Sequence, residues 1–250
     1  MTAFIYDGTK IGLFTCVFDC FYERHNPDVI SSSPLQVGLQ DEIYEIKSDQ
    51  NKAERVNNCL LKCKTKNLSY DLSLAFRSGE AIKSTIIFKY LKKVIDNKNI
   101  DVSKNYADAD VLNFNDLIQR ILFEAHRMKG FLRFSQTQDG YYYSHYEPDN
   151  DVTELLMPHF KDRFHFPFII HDLKRNILGL CDGKKYKVLN WNKKVEIYLS
   201  ENEKDLEKLW KTYYKSVNIK ERANEKVMLR FMPKRYWKHA IEKNEDTETF

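Results

Sequence analysis

Short links between β-rich runs in the second half of the chain constrain its fold most. Residues 131–137 and 141–146 flank an Asp-Gly turn, a combination typical of a β-hairpin. Residues 168–172 and 176–182 predict a second hairpin, and residues 186–191 predict a further strand. Parallel neighbours need long crossovers, so these short links favour mostly antiparallel pairing.

The first part of the chain is predicted to be largely helical, with short strands at residues 4–6 and 42–47. Residues 28–40 are rich in Ser, Pro, Gly and Gln and predict an exposed loop. Thr9 and either Ser48 or Asp49 are candidate helix caps.

These patterns predict an α+β protein whose central, mostly antiparallel sheet has about five strands, formed by two hairpins plus one strand and packed with helices. We expect residues 1–96 to form a mainly helical N-terminal subdomain with two short strands. Residues 97–242 would form the α+β core with basic C-terminal helices, and residues 243–250 a disordered tail. One continuous domain is the alternative.

Composition excludes several classes of protein. Of 250 residues, 42% are hydrophobic and 30% charged, which is typical of a folded chain rather than a disordered one. No apolar run approaches the roughly 20 residues of a membrane helix, and the N-terminus lacks the pattern of a secretory signal. Five cysteines, an odd number, argue against a disulfide framework, so we expect a cytoplasmic protein without a membrane partner.

Motifs that would identify a cofactor or metal are missing from the sequence. It contains no Walker loop, GxGxxG, HExxH, GxSxG or CxxC pair. Cys16 and Cys20 are spaced four residues apart, as are Cys59 and Cys63, which favours small buried hydrophobic residues over a four-thiolate metal site. We therefore expect no cofactor and assign no metal site to the cysteines.

Positive charge is concentrated near the C-terminus. Residues 215–239 contain eight Lys or Arg and two acidic residues, a net charge of +6 against +4 for the whole chain. Aromatic residues are interleaved with these cations, as in many nucleic-acid-binding surfaces. Arg222, Arg235, Tyr236 and Trp237 are therefore candidate nucleic-acid contacts, with a solvated helical surface as the alternative.

A second set of cations is predicted around the central sheet. The candidate anion-binding residues there are His126, Arg127, Arg133, Arg163 and Arg175. Helical spacing places His159 and Arg163 on the inward stripe of the helix that begins near residue 151. A buried guanidinium needs an acceptor. Glu147, Asp172 or a bound phosphate could fill that role.

Three residues are candidates for catalysis. His171 or His159 would act as general base, and Glu147 as an acid or metal ligand. For His171 and the adjacent Asp172, the alternative is a partly buried histidine next to a turn-capping aspartate. Tyr141, Tyr143 and Tyr146 would be a stacking platform for bases or packing residues of the sheet.

Several stretches together resemble one bacterial family of domain-of-unknown-function proteins, described as acting in DNA repair or DNA metabolism. The stretches that carry the resemblance are YDGTKIGLFTCVFDCFYE, HRMKGFLRF, HFKDRF, IKERAN and MPKRYW. The resemblance implies a cytoplasmic protein encoded beside a radical-SAM protein, with some relatives fused to a uracil-DNA-glycosylase-like domain. The chain lacks the CxxxCxxC motif, so it is not itself the radical-SAM protein.

Three functions are therefore expected and left open. The first is a nucleic-acid-associated protein with an Arg- and His-lined pocket for an anion or nucleotide. The second is an enzyme acting on a nucleic-acid phosphoester or base. The third is a non-catalytic adaptor that docks a radical-SAM partner. The sequence does not decide whether the chain is catalytic.

Overall fold

The computed structural model describes residues 1–23, 25–36, 38, 40–219 and 224–243. The chain divides into two compact units, Met1–Ile121 and Leu122–Phe250. The boundary between them falls inside one long helix, Ala109–Phe131. The predicted tail, residues 243–250, lies outside the described residues except for Lys243. The predicted division between residues 96 and 97 stays a prediction.

Unit 1 contains a small parallel sheet with helices. Its elements are β1 (Thr2–Ile5), α1 (Lys10–Tyr22), β2 (Val29–Ser31), β3 (Glu42–Glu45), α2 (Gln50–Leu60), α3 (Leu68–Ala75) and α4 (Lys83–Asp96). The strand order is β2-β1-β3, with β1 parallel to both neighbours. The prediction of an exposed loop over residues 28–40 was wrong at β2, whose residues pair with β1 and include the buried Ile30.

Side-chain caps begin two of these helices, as the sequence predicts. The Thr9 hydroxyl accepts a hydrogen bond from the Gly12 N–H at 2.9 Å and caps α1. The Asp49 carboxylate accepts from the Lys52 N–H at 3.0 Å and caps α2. Each oxygen satisfies an N–H that has no partner within its helix.

Unit 2 has the predicted α+β architecture. Helix α5 (Ala109–Phe131) enters it, and its further elements are β4 (Ser135–Gln136), β5 (Tyr142–Tyr146), α6 (Thr153–Arg163), β6 (Phe168–Asp172), β7 (Ile177–Cys181), β8 (Tyr186–Asn190), α7 (Glu203–Val217), α8 (Glu225–Phe231) and a 3-10 helix (Lys234–His239). The five-stranded sheet has the order β4-β5-β6-β7-β8. The α+β class and the mostly antiparallel sheet are confirmed.

Two details of unit 2 differ from the prediction. Strands β5 and β6 are parallel, because α6 lies between them in sequence and returns the chain to the same edge. The strand predicted at residues 131–137 shrinks to the two residues of β4, because α5 continues through Gly130 to Phe131.

Helix α6 packs closely on the sheet at Gly179 of β7. A Cβ added at Gly179 would lie 2.4 Å from Sδ of Met157 and 3.1 Å from Cγ2 of Thr153, and both of these residues are fully buried. The Tyr146 hydroxyl bonds the Thr153 hydroxyl at 2.9 Å, which fixes α6 at this position. The missing side chain at Gly179 therefore lets the helix approach the strand.

We expect Gly179→Ala to lower the free energy of unfolding by about 1–3 kcal/mol, because the added methyl overpacks the contact between α6 and β7. Urea unfolding followed by Trp fluorescence measures the change. Gly130→Ala is the control, since a Cβ at Gly130 meets no atom within 4 Å. An equal effect of both substitutions would contradict the close approach.

Candidate functional site: an aromatic cleft and a buried histidine cluster

A cleft in unit 2 has a volume of about 830 Å³. It is open to solvent and lies among the end of α5, the edge of the sheet near β4, the last turn of α6, and α7. Its aromatic lining consists of Phe134, Tyr142, Phe160, Phe164, Phe166, Trp210 and Tyr213. We call this the aromatic cleft. Its volume is within the range of ligand pockets.

The rings near the end of α6 form a packed wall of the cleft. Phe164 and Phe166 stack with centroids 4.7 Å apart, and Tyr142 lies 4.2 Å from Phe166. Phe134 meets Phe164 edge to face at 5.1 Å. Helix α7 contributes Leu206, Leu209 and Tyr213 to the lining, all of them exposed. A flat apolar group can therefore pack against aromatic rings in this cleft.

Charged side chains also line the aromatic cleft. The cations are Lys129, Arg133 and Arg163, and the acidic residues are Glu203 and Glu207. Glu203 is buried and accepts a hydrogen bond from the Gln136 N–H at 3.0 Å. Burial raises the pKa of Glu207, and the neighbouring Glu203 adds to the rise. The cations exceed the acids by one among these residues.

Arg163 is exposed, so its predicted place on the inward stripe of α6 was wrong. It is the last residue of α6, where the side chain leaves the sheet and reaches solvent at the cleft. Its guanidinium lies 5.9 Å from the Phe164 ring. It is paired with no carboxylate of the described residues, and the two acceptors suggested by the sequence are bound to other cations.

Arg133 is held on three sides in the same cleft. Its Nη1 donates to the carbonyl oxygens of Gly130 at 2.8 Å and Leu132 at 3.3 Å. Its Nη2 and Nε donate to the two carboxylate oxygens of Glu242 at 2.6 and 3.2 Å. The Trp210 ring lies 5.4 Å from the guanidinium. This arginine is therefore fixed in position and neutralised by an acidic residue 109 positions later.

A cluster of the buried Tyr143 and His171 with the half-buried His145 and His239 lies on the other face of the sheet, and we call it the buried histidine cluster. Tyr142 lines the aromatic cleft, and its neighbour Tyr143 leaves the opposite face of β5 because side chains alternate along a strand. Tyr143 and Nδ1 of His171 share a hydrogen bond of 2.8 Å. His145 is in register with His171, and its ring lies 4.9 Å from the ring of His239.

Burial keeps the histidines of this cluster neutral. Desolvation lowers the pKa of His145 to about 4, and His239 and His171 add to the effect. Desolvation also lowers the pKa of His171 and of His239. Nε2 of His171 and both ring nitrogens of His239 are buried without a hydrogen-bond partner among the described residues. Charging any of these rings inside the fold is therefore unfavourable.

Glu147 lies at the border of the buried histidine cluster. Its carboxylate pairs with Nζ of Lys238 at 2.6 Å and lies 3.8 Å from Nε2 of His239. The hydrogen bond from Lys238 lowers the pKa of Glu147. Two predicted catalytic residues, His171 and Glu147, are thus on the same face of the sheet, while the aromatic cleft contacts the other face.

Arg175 is occupied by the chain itself at the β6–β7 turn. Its Nη1 donates to the fully buried carboxylate of Asp172 at 3.0 Å and to the Pro148 carbonyl at 3.1 Å, and Nη2 bonds the Asp149 carbonyl. Burial raises the pKa of Asp172, against the opposing effect of Arg175. Oδ1 of Asp172 accepts from the N–H groups of Lys174 and Arg175 at 2.9 and 3.1 Å, which favours the turn-capping alternative for Asp172, and Arg175 does not line the aromatic cleft.

The three candidate nucleic-acid contacts on the 3-10 helix differ in how much of each side chain is exposed. Tyr236 is 4% exposed, and its hydroxyl donates to Glu124 at 2.6 Å, so its ring offers no surface for base stacking. Arg235 is exposed and pairs with Asp149 at 2.7 Å. Trp237 is half-buried, and its Nε1 donates to the Met232 carbonyl at 2.9 Å.

The remaining predicted residues are not gathered with these. His126 is exposed and Arg127 half-buried, both on α5. His159 is half-buried with its ring 5.0 Å from that of Phe160, and desolvation lowers its pKa. Arg222 lies outside the described residues. The site assignments of all these residues stay predictions.

Within residues 1–219 and 224–243, apart from the three undescribed positions 24, 37 and 39, no three His, Cys, Asp or Glu side chains are grouped to hold a metal ion. None of the helices formed by the described residues has both the length and the hydropathy that crossing a bilayer requires.

Sequence reasoning missed most of the aromatic lining and two members of the histidine cluster. The pattern of β5 does place Tyr143 and His145 on one face, and the helical spacing of α7 places Trp210 on its apolar stripe. No local pattern indicates that Phe166, in the link before β6, would stack on Tyr142. His239 is separated from His145 by 94 positions, so its approach depends on tertiary packing.

Comparison with known proteins gives one family. A family model described as a domain of unknown function, DUF4130, matches residues 81–242, which is more than half of the chain. No curated protein and no solved structure matches the chain.

Proposed function

This chain belongs to the DUF4130 family, whose domain is of unknown function, and we propose that it binds nucleic acid in the aromatic cleft of unit 2. The observation that carries the proposal is Arg163, an exposed guanidinium paired with no described carboxylate, beside the stacked rings of Phe164 and Phe166. Aromatic rings stack on bases and cations contact phosphates in single-stranded nucleic-acid sites.

The size and openness of the site support a splayed base rather than a duplex. A volume of about 830 Å³ accommodates a base with its sugar and phosphate, and the aromatic lining has no preference among base faces. Exposed cations on the C-terminal segment, among them Lys215, Lys226 and Arg230, would extend the contact along the phosphate backbone.

We expect Arg163→Gln to weaken binding of a fluorescently labelled single-stranded oligonucleotide by roughly three- to tenfold, because one phosphate contact is lost. Fluorescence anisotropy at several salt concentrations also measures the slope of log K against log salt. The magnitude of this slope should fall by about 1, the amount expected for one phosphate contact. Lys187→Gln is the control, because Lys187 is an exposed cation on β8 that does not line the cleft.

Phe166→Leu separates stacking from charge in the same assay. It should weaken binding while the salt dependence stays the same, because it removes a ring and no cation. An oligonucleotide that does not bind, or that binds wild type, Arg163→Gln and Phe166→Leu equally, would overturn the proposal. The finer proposal, a role in DNA repair or DNA metabolism, derives from the family resemblance and predicts tighter binding of DNA than of RNA.

One observation favours a protein partner as a second candidate function. Large hydrophobic residues are exposed near the C-terminal end of the described chain. They are Val217 at the end of α7, Ile219 two positions later in the sequence, and Val227 and Phe231 on α8. Burial of exposed apolar side chains drives many protein–protein associations. The adaptor proposal, with a radical-SAM partner, predicts that the two proteins co-purify when co-expressed and that Phe231→Ser abolishes the association. Independent elution of the wild-type proteins would contradict it.

A further inference from the structure

Arg133 is oriented in the aromatic cleft by the backbone of its own segment. Its Nη1 donates to the Gly130 and Leu132 carbonyl oxygens. This edge of the guanidinium is therefore fixed, independently of the group that binds the opposite edge. The other edge, formed by Nε and Nη2, is the edge that matches two acceptor oxygens. The backbone therefore presents a fork of two donors toward a single anion.

Glu242 fills that fork. Its two carboxylate oxygens accept from Nη2 and Nε of Arg133 at 2.6 and 3.2 Å. The second oxygen also accepts from the indole Nε1 of Trp210 at 3.0 Å. The side chain of Glu242 is 5% exposed, although it lies near the end of the described chain. Three donors from two distant elements thus converge on one two-oxygen anion.

The same arrangement suits a phosphate group. A phosphodiester has two non-bridging oxygens, spaced much as in a carboxylate. An arginine fork therefore binds a phosphodiester bidentately, as it binds a carboxylate. Trp210 adds an indole N–H donor, and its ring lies 5.4 Å from the guanidinium. Lys129 and Arg163 line the same cleft with Glu203 and Glu207, so Arg133 supplies the net positive charge there once Glu242 has moved away.

We propose that Arg133 and Trp210 form a phosphate-binding subsite of the aromatic cleft, and that Glu242 occupies it as an internal competitor. This inference rests on the proposed function, because the phosphate would belong to the nucleic acid bound in the cleft. Entry of the phosphate displaces the Glu242 carboxylate, while the carbonyl oxygens of Gly130 and Leu132 keep Arg133 in place. Its source is either a backbone phosphodiester or a terminal phosphate of that nucleic acid.

Glu242→Gln tests the competitor. The amide keeps the size of the side chain but removes the charge that neutralises Arg133, so phosphate affinity should rise on the order of tenfold. Glu207→Gln is the matched control, because Glu207 lines the same cleft and has no described bond to Arg133. A general gain of positive charge would raise affinity equally in both variants, whereas displacement of a competitor raises it more in Glu242→Gln.

Three probes distinguish the source of the phosphate. They are inorganic phosphate, a single-stranded oligonucleotide with a terminal phosphate, and the same oligonucleotide without it. Tighter binding of both oligonucleotides indicates a backbone phosphodiester, and a gain only with the phosphorylated one indicates a terminal phosphate. A gain with inorganic phosphate alone would overturn the assignment of this subsite to nucleic acid. In each case Arg133→Gln combined with Glu242→Gln should remove the gain.

The inference fails if folded Glu242→Gln binds every probe no more tightly than Glu207→Gln does, because Glu242 then only fastens the chain. If Glu242→Gln does not fold, Glu242→Asp replaces it, since the shorter side chain loosens the contact with Arg133 and should give a smaller gain. If Glu242→Asp binds the probes with the affinity of wild type, the inference is equally overturned. Oligonucleotide binding that depends on Arg163 but not on Glu242 leaves the proposed function intact.

Discussion

Glu124→Gln is expected to lower the free energy of unfolding of unit 2 by roughly 3 kcal/mol, the largest effect of any single substitution predicted for this protein. Glu124 is 5% exposed, and its carboxylate accepts four hydrogen bonds. Three come from the β5–α6 loop, namely from the Asp149 N–H at 2.7 Å and from the Asn150 N–H and Nδ2 at 2.8 and 2.6 Å. The fourth comes from the Tyr236 hydroxyl at 2.6 Å.

A glutamine at this position has the same shape but only one acceptor oxygen. Its NH₂ group would face donors that have lost their acceptor, and a buried donor without a partner costs about 1–3 kcal/mol. The three tryptophans of the chain, Trp191, Trp210 and Trp237, all lie in unit 2, so Trp fluorescence during urea unfolding reports this unit. The expected result is a lower urea midpoint.

Glu201→Gln is the matched control, because Glu201 is an exposed residue of the same unit. It should leave the midpoint within about 0.5 kcal/mol of wild type. If Glu124→Gln were equally neutral, the four hydrogen bonds would not hold the β5–α6 loop and the 3-10 helix to α5. The same network also explains why Tyr236 is unsuited to contact a base.

Local chemistry was predictable from the sequence. The caps at Thr9 and Asp49, the Asp-Gly hairpin between β4 and β5, and the shared face of Tyr143 and His145 each depend on residues close in sequence. Because turn chemistry and side-chain alternation operate over a few residues, a pattern of that length is sufficient.

Pairing between distant segments was not predictable in this way. Strand β2 is only three residues long and lies in a stretch rich in Ser and Pro, and its pairing with β1 gives it a place in a sheet. Counting cations without carboxylates overstated the unmatched charge, because Arg133 pairs with Glu242 and Arg235 with Asp149, far along the chain. Of the predicted anion-binding arginines, Arg163 and Arg133 line the cleft.

Helical periodicity also failed at Arg163 for a physical reason. The spacing puts this residue on the stripe that includes Leu156 and Phe160, both of which are buried. At the last residue of α6, however, a long side chain can extend past the end of the packed surface and keep its charge in water. That departure from the pattern is what leaves a guanidinium available in the aromatic cleft.

Acidification is expected to destabilise unit 2 through the buried histidine cluster. Burial lowers the pKa of His145 from 6.5 to about 4, and it lowers the pKa of His171 and His239 as well. The unfolded chain then binds more protons than the folded one between these values. Stability is therefore complete above about pH 6.5 and is lost as the pH falls toward 4.

The expected loss is about 2 kcal/mol from His145 alone between about pH 7.5 and pH 5, from its shift and the 1.36 kcal/mol that one pKa unit represents. His171 and His239 add to it in the same direction. Glu147 favours protonation of His239 and His145, because it raises the pKa of both. Lys238 disfavours protonation of the same two rings, because it lowers the pKa of both. Urea unfolding at the two pH values, followed by Trp fluorescence, measures the total.

Substitution assigns the effect to the cluster. His145→Gln removes one buried titrating ring, so the difference in unfolding free energy between the two pH values should shrink by about 2 kcal/mol. His126→Gln removes an imidazole from an exposed position of the same unit and is the control for the loss of a histidine. An equal change of the difference in both variants would show that the acid sensitivity arises outside the buried histidine cluster.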